Sequence, residues 1–257
     1  MDPIDPIVVA MLAVASFLAG TVDAIAGGGG LITLPSLLAA GLPPHLAFGT
    51  NKGQSVWGSG AALATFWRAG RVDRRQGALA FPLGLLGAAV GARLVLLIES
   101  QALRPIAIAM LIGAAALLVV RKPARAEDEA GVDDARARRY LARAAVIALV
   151  IGAYDGFFGP GTGTFLIVGF VAFCGKGLPR ATADAKVVNF ASNIAALAAF
   201  AYAGAVAWSV ALPMAAGQLA GGFVGARLAL RGGARLIRLA VLAVSGALVA
   251  KLVHDLI

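Results

Sequence analysis

Gly20-Thr-Val-Asp23-Ala-Ile-Ala-Gly27-Gly28-Gly29-Gly30 sets one carboxylate and four consecutive glycines in the middle of an apolar run. Neither feature helps a helix cross a bilayer. An aspartate at mid-membrane is costly, and each glycine weakens a helix interior by roughly 1 kcal/mol against alanine. The chain does the same again at Gly152-Ala-Tyr-Asp155-Gly-Phe-Phe-Gly159-Pro160-Gly161-Thr162-Gly163. We read the two stretches as copies of one broken-helix element that meet to form a site.

The rest of the chain is membrane-like. Of 257 residues, 60% are hydrophobic and only 14% charged, more apolar surface than a soluble domain of this size can cover. Apolar runs of about 20 residues recur along it, the length needed to span a bilayer. The expected class is therefore an all-α polytopic membrane protein. Its net charge of +9 sits in arginines clustered between the apolar runs, so it reads as loop charge and not as a nucleic-acid footprint. Cys174 is the single cysteine, so no disulfide framework is expected. Met1-Asp2-Pro3-Ile4-Asp5-Pro6 lacks a basic n-region, and the first helix is expected to be retained.

The pattern predicts a helix over residues 7–26, a break at 27–30 and a short piece over 31–40. That piece reaches only about half of the hydrocarbon core. Spans follow at 47–66, 77–98 and 102–120. Residues 121–140 form a polar linker of mixed charge, with a helical turn near 135–140. The second half repeats the plan: a helix over 141–158, a break at 159–161, a short piece over 164–173, and spans at 181–203, 208–230 and 234–252. An N-terminal repeat (1–120) and a C-terminal repeat (141–257) thus form one transport domain. Each holds a broken element and three full spans, in all about eight full or near-full spans and two short half-helices. Whether each broken element is a re-entrant hairpin or a pair of uneven spans stays open in the sequence.

The halves align in order. Asp23 matches Asp155, Gly41-Leu42-Pro43 matches Gly177-Leu178-Pro179, Lys52 matches Lys186, and Gly91-Ala92-Arg93-Leu94 matches Gly225-Ala226-Arg227-Leu228. Residues 68–75, 121–143, 176–180 and 231–238 are basic, whereas 41–46, 99–101 and 204–207 are not. Placing both termini outside, in the periplasm, puts every basic segment, linker included, in the cytoplasm. Each half then crosses an odd number of times, which inverts one repeat relative to the other. Inverted repeats with glycine-interrupted segments at matching positions point to a secondary transporter.

The short helices that begin after Gly30 and Gly163 would present free N–H groups and a positive dipole end inside the membrane. Gly27, Gly28, Gly29, Gly30, Gly159, Gly161, Thr162 and Gly163 are accordingly candidate anion-binding residues. The competing account is that the glycines only allow close packing. Lys52 falls on one helix face with Ser55 and Ser59, and Lys186 with Asn189 and Asn193. Thr50 and Asn51 add polarity just before Lys52. A lined anion cavity and a snorkelling lysine are the two readings. Asp23 and Asp155 have three open roles: partners of the lysines, acceptors for broken-helix backbone, or carriers of a coupling proton or other cation. Arg93 and Arg227 read as snorkelling side chains, and Trp67 and Trp208 as interface residues.

An enzyme is not expected. No Gly-x-Gly-Asp follows Tyr154-Asp155, and neither Gly-x-Ser-Gly nor His-Glu-x-x-His occurs. The two histidines, His45 and His254, have no metal-ligand neighbourhood. No cofactor and no metal are expected.

Asp23…Gly27-Gly28-Gly29-Gly30, Gly49-Thr50-Asn51-Lys52, Asp155-Gly156-Phe157-Phe158-Gly159-Pro160-Gly161 and Ala185-Lys186…Asn189…Ser192-Asn193 together resemble the TauE/SafE family of bacterial inner-membrane proteins. The resemblance covers nearly the whole chain. It implies transport of small sulfur oxyanions such as sulfite and organosulfonates. The expectation is a permease whose substrate lies between residues 27–31 and 159–164, lined by Lys52, Lys186, Asn189 and Asn193, with alternating access by rocking of the repeats. An inside-negative potential favours export of an uncoupled anion by about 2.3 kcal/mol per charge per 100 mV. Import requires a coupled proton or sodium ion. Expected partners are thus a small anion, a coupling ion and the lipid bilayer, with no nucleic acid. A carrier for a carboxylate or cation, and a non-transporting scaffold, are the rival classes.

Overall fold

The structure is a computed structural model that describes residues 4–103, 105–106, 109 and 134–256. Its helices are α1 (Pro6–Ala26), α2 (Gly30–Ala39), α3 (Pro44–Arg68), α4 (Arg74–Leu96), α5 (Asp134–Phe157), α6 (Thr162–Cys174), α7 (Leu178–Tyr202) and α8 (Trp208–Leu256). Most of the expected span over 102–120 and most of the linker lie outside the described residues.

Local chemistry sets the ends. Pro6 opens α1, where its missing N–H costs nothing, and the Asp5 carboxylate caps it by accepting from the Ile7 N–H at 2.7 Å. Gly27 closes α1 in the left-handed conformation (φ 82°), its N–H donating to the Asp23 carbonyl at 2.8 Å. Asp73 caps α4 through the N–H groups of Arg75 and Gln76. Left-handed Gly161 and Gly175 bracket α6.

By length and composition, α1, α4, Arg139–Phe157 of α5, α7 and Trp208–Gly232 of α8 can cross a membrane. Helix α3 is equally long at 25 residues, but buried Thr50, Asn51, Lys52, Gln54 and Ser59 make it too polar to count by the same measure. Helices α2 and α6 are the two short apolar pieces.

Two boundaries differ from expectation. Helix α5 begins at Asp134, so the turn foreseen at 135–140 is continuous with the span. Alanine, arginine and leucine dominate there and no glycine or proline interrupts before Gly152. Helix α8 runs unbroken for 49 residues through Arg231-Gly232-Gly233, where the sequence suggests a turn between two spans. Glycine lowers helix propensity without removing a hydrogen bond, and no proline follows to end the helix. At 1.5 Å per residue, 49 residues exceed a hydrocarbon core of about 30 Å more than twofold.

The packing couples the two halves. Helix α1 lies mainly on α8, and α4 mainly on α5. Both contacts run over glycine. A Cβ placed on Gly221 would stand 2.1 Å from the Phe17 carbonyl oxygen, and one on Gly91 would stand 2.0 Å from that of Ala153. Small residues permit this approach where lipid offers no hydrophobic drive between helices. Helices α3 and α7 touch each other and also pack on α8 and α4 respectively. One apolar cluster gathers around Phe66, Phe170 and Val188, and another around Phe48, Phe158 and Phe200. Along α3 the buried polar residues fall between the two clusters, as do Asn189, Ser192 and Asn193 of α7.

Candidate functional site

The two broken elements meet backbone to backbone. The Thr164 N–H donates to the Gly27 carbonyl at 3.2 Å, and the Thr164 hydroxyl to the Ala26 carbonyl at 2.7 Å. A Cβ on Gly27 would lie 2.1 Å from the Gly163 carbonyl carbon, and one on Gly163 would lie 2.4 Å from the Gly27 Cα. Only glycine at both positions lets the chains cross so closely.

At this crossing each lysine binds the aspartate of the other half. Lys52 Nζ lies 2.7 Å from Asp155 Oδ1, and Lys186 Nζ lies 2.9 Å from Asp23 Oδ2. Lys52 and Lys186 are 2% and 0% exposed, so neither snorkels. A buried ammonium requires a partner, and both have one. Lys52 also donates to Asn193 Oδ1 at 3.2 Å, and Lys186 to the Asp23 backbone carbonyl.

The two carboxylates are held differently. Asp155 is buried and accepts from Lys52, from the Thr162 hydroxyl at 2.9 Å and from the Ser192 hydroxyl. Asp23 is 20% exposed and accepts from Lys186 and, at 3.3 Å, from the Gly29 N–H at the start of α2.

Asp23, Gly30, Asn51, Lys52, Ser55, Asp155, Gly159, Gly163, Asn189 and Asn193 line a small polar cavity together with Gln218. Its volume for a water-sized sphere is about 20 Å³, room for roughly one water. The remaining expected residues stand behind this lining. Gly27, Gly28, Gly29 and Gly161 shape the breaks, Thr162 supports Asp155, and Lys186 is spent on Asp23. Thr50 is directed elsewhere, its hydroxyl accepting from the Ala207 N–H at 3.0 Å.

Sequence reasoning missed several polar residues. Gln218 of α8 fits between Gly20 and Gly58, where a Cβ on either would come within 2.4 Å of its Oε1. Thr33 and Gln54 both donate to Asn51 Oδ1, at 2.6 and 3.0 Å, and Ser16 donates to Gln54 Oε1 at 2.8 Å. Ser192 serves Asp155. The available signal was the presence of lone amides and hydroxyls inside apolar runs, where an unpaired polar group is expensive.

A second polar cluster lies where the α3–α4 turn meets the α6–α7 turn. The Asp73 N–H donates to Asp184 Oδ1 at 2.8 Å. Lys176 Nζ bridges Asp184 and, at 3.3 Å, Asp73 Oδ2. The Tyr140 hydroxyl donates to Asp73 Oδ2 at 3.3 Å. Partial burial pushes the Asp73 carboxyl up, but the Gln76 N–H and the Lys176 ammonium outweigh it and hold it below the usual value of 3.8. Arg93 and Arg227 are exposed, the latter 3.9 Å from the Phe223 ring centre. Trp67 and Trp208 are likewise exposed. Among the described residues no three histidine, cysteine or carboxylate side chains gather as a metal site would require.

A helical membrane bundle with two buried lysines, each paired to an aspartate at the meeting of broken helices, has the build of a membrane transporter, because charge inside a membrane marks solute and ion paths. The chain belongs to the sulfite exporter TauE/SafE family, whose model matches residues 12–252. It is 41% identical to the probable membrane transporter protein ORF9 of a Sinorhizobium species, over 96% of this chain and 92% of that one. It is 38% identical to the probable membrane transporter protein YfcA of Escherichia coli K12, over 98% and 92%. A probable membrane transporter protein of Haemophilus influenzae is also 38% identical, over 96% and 94%. No solved structure matches the chain.

Proposed function

We propose that this protein is a secondary carrier for a small anion, sulfite or an organosulfonate, that works by alternating access between two inverted repeats. One observation carries the reading: Lys52 and Lys186 are buried where two broken helices cross, each ion-paired to the aspartate of the opposite half. A sulfonate or sulfite offers several oxygens at once to ammonium groups, side-chain amides and helix N–H groups, and Asn51, Asn189, Asn193 and Gln218 supply the amides. The family's own description, sulfite exporter, supports the substrate class.

Reciprocal packing supports the repeat. Helix α1 on α8 and α5 on α4 use glycines at matching positions, Gly221 with Gly87 and Gly225 with Gly91. The basic turns between α3 and α4 and between α6 and α7 support an inner-membrane orientation with these turns and the linker in the cytoplasm and the N-terminus outside, whereas the unbroken α8 has no turn at 231–238 to carry the C-terminus back across. Movement of one repeat against the other would open the cavity to each side in turn.

The test is flux into proteoliposomes of sulfite, thiosulfate, sulfoacetate, taurine and small carboxylates, under proton and sodium gradients. Saturable uptake of a sulfur oxyanion that is lost in Lys186→Met supports the reading. No flux of any anion under either gradient overturns it.

A further inference from the structure

The cavity between the broken helices is already occupied by an anion of the protein's own. The Asp23 carboxylate accepts from a buried ammonium, Lys186, and from an N–H at the start of α2. These are the two contacts a bound oxyanion would take. Asp155 does not stand in the same relation to its lysine. It is 2% exposed and held by Lys52 together with two hydroxyls, Thr162 and Ser192, so displacing it would leave a buried charge with broken hydrogen bonds. Asp23 is 20% exposed and its second contact is long at 3.3 Å. The matching positions in the two halves are therefore unequal: one carboxylate is fixed and the other can be exchanged.

We propose that Asp23 is the coupling residue of this carrier, and that a proton from the aqueous side on Asp23 releases Lys186 to hold the substrate anion. This rests on the anion-carrier reading and sharpens it. The balance is simple. The empty site holds carboxylate and ammonium; the loaded site holds carboxylic acid, ammonium and a monoanion. Both are neutral, so one proton travels with one monoanion and a membrane potential alone does no work on the step. Among the described residues, the charged groups that face Asp23 are Lys186 of α7 and, across the cavity, Lys52 of α3 and Asp155 of α5. Helix α8 presents the neutral Gln218, while α2 and α6 bring no charged side chain. The Lys52–Asp155 pair is self-compensating and stays closed throughout.

The probes are isethionate and methanesulfonate, monoanions that do not titrate between pH 5 and 8. Binding to the purified protein is measured by calorimetry across that range, with proton uptake followed in weak buffer. The wild type is expected to bind more weakly as pH rises, by up to about tenfold per pH unit, and to take up one proton per anion. Asp23→Asn is expected to bind with a flat pH profile and no proton uptake. Asp155→Asn is expected to lose thermal stability instead. If Asp23→Asn does not fold, the wild type still decides, because uptake into proteoliposomes should respond to a pH gradient and not to a potassium-diffusion potential. Binding with no pH dependence, an unchanged profile in Asp23→Asn, or uptake driven by potential alone overturns the inference and leaves the carrier standing. No binding of either sulfonate overturns the inference too, and if the flux panel also fails the carrier reading falls with it.

Discussion

Lys52 shows what a single buried charge demands. Its ammonium is almost fully enclosed and tied to Asp155. Lys52→Met leaves Asp155 uncompensated, and the expected loss of stability is about 3–5 kcal/mol. Lys52→Met combined with Asp155→Leu removes both charges and should recover much of that loss in thermal unfolding. Asp73 calls for a different pair of substitutions, because it both caps α4 and faces Lys176. Asparagine caps as well as aspartate does, so Asp73→Asn should cost less than Asp73→Ala, for which about 1 kcal/mol is expected from the lost cap alone. The Asp73 carboxyl sits below its ordinary value. Its contribution is therefore complete above about pH 4 and disappears as pH falls through the lowered value. The gap between the wild type and Asp73→Asn should close in acid unfolding curves over that window. At this scale the sequence was informative about which residues matter and silent about which atoms they reach. The aspartate and lysine positions could be paired within a half or across halves, and only the folded chain makes the pairing crosswise.

Among the elements, the broken helices were the most legible, because no continuous helix accommodates four glycines or Gly-Pro-Gly-Thr-Gly. The structure adds that Gly27 and Gly163 are a crossing point. Gly27→Ala meets both a left-handed backbone and the Gly163 carbonyl carbon at 2.1 Å, and should cost more than about 2 kcal/mol in thermal unfolding. Gly91→Val should disrupt the α4–α5 contact, read as loss of a monodisperse peak in detergent chromatography. The starts of α5 and the length of α8 were less legible. Alanine- and arginine-rich sequence supports a helix inside or outside a membrane, and Arg231-Gly232-Gly233 weakens a helix without a proline to stop it. Thr50 illustrates the limit for site residues. Its position next to Asn51 and Lys52 suggested a cavity wall, yet one helical step turns it toward Ala207 instead.

For the molecule as a whole, orientation is directly measurable by labelling. Ala69 and Ala203 end α3 and α7 at matching positions, and both are exposed. If the repeats are inverted, cysteines placed there should label from opposite sides of the membrane: Ala203→Cys in intact cells, Ala69→Cys only after permeabilisation. Labelling from the same side would remove the inversion. The general class was plain from composition, because so little of the chain is polar enough to sit in water. The substrate was not, since helix N-termini, amides and lysines recognise sulfur oxyanions and carboxylates by the same contacts.

The crosswise ion pairs also bear on how such a chain is made. Synthesis delivers Lys52 to the bilayer long before Asp155, and Asp23 before Lys186. During that interval the first half holds a cation and a carboxylate whose final partners do not yet exist. The N-terminal half made alone should therefore be degraded, while the two halves co-expressed as separate chains should rescue each other, each supplying the countercharge the other lacks.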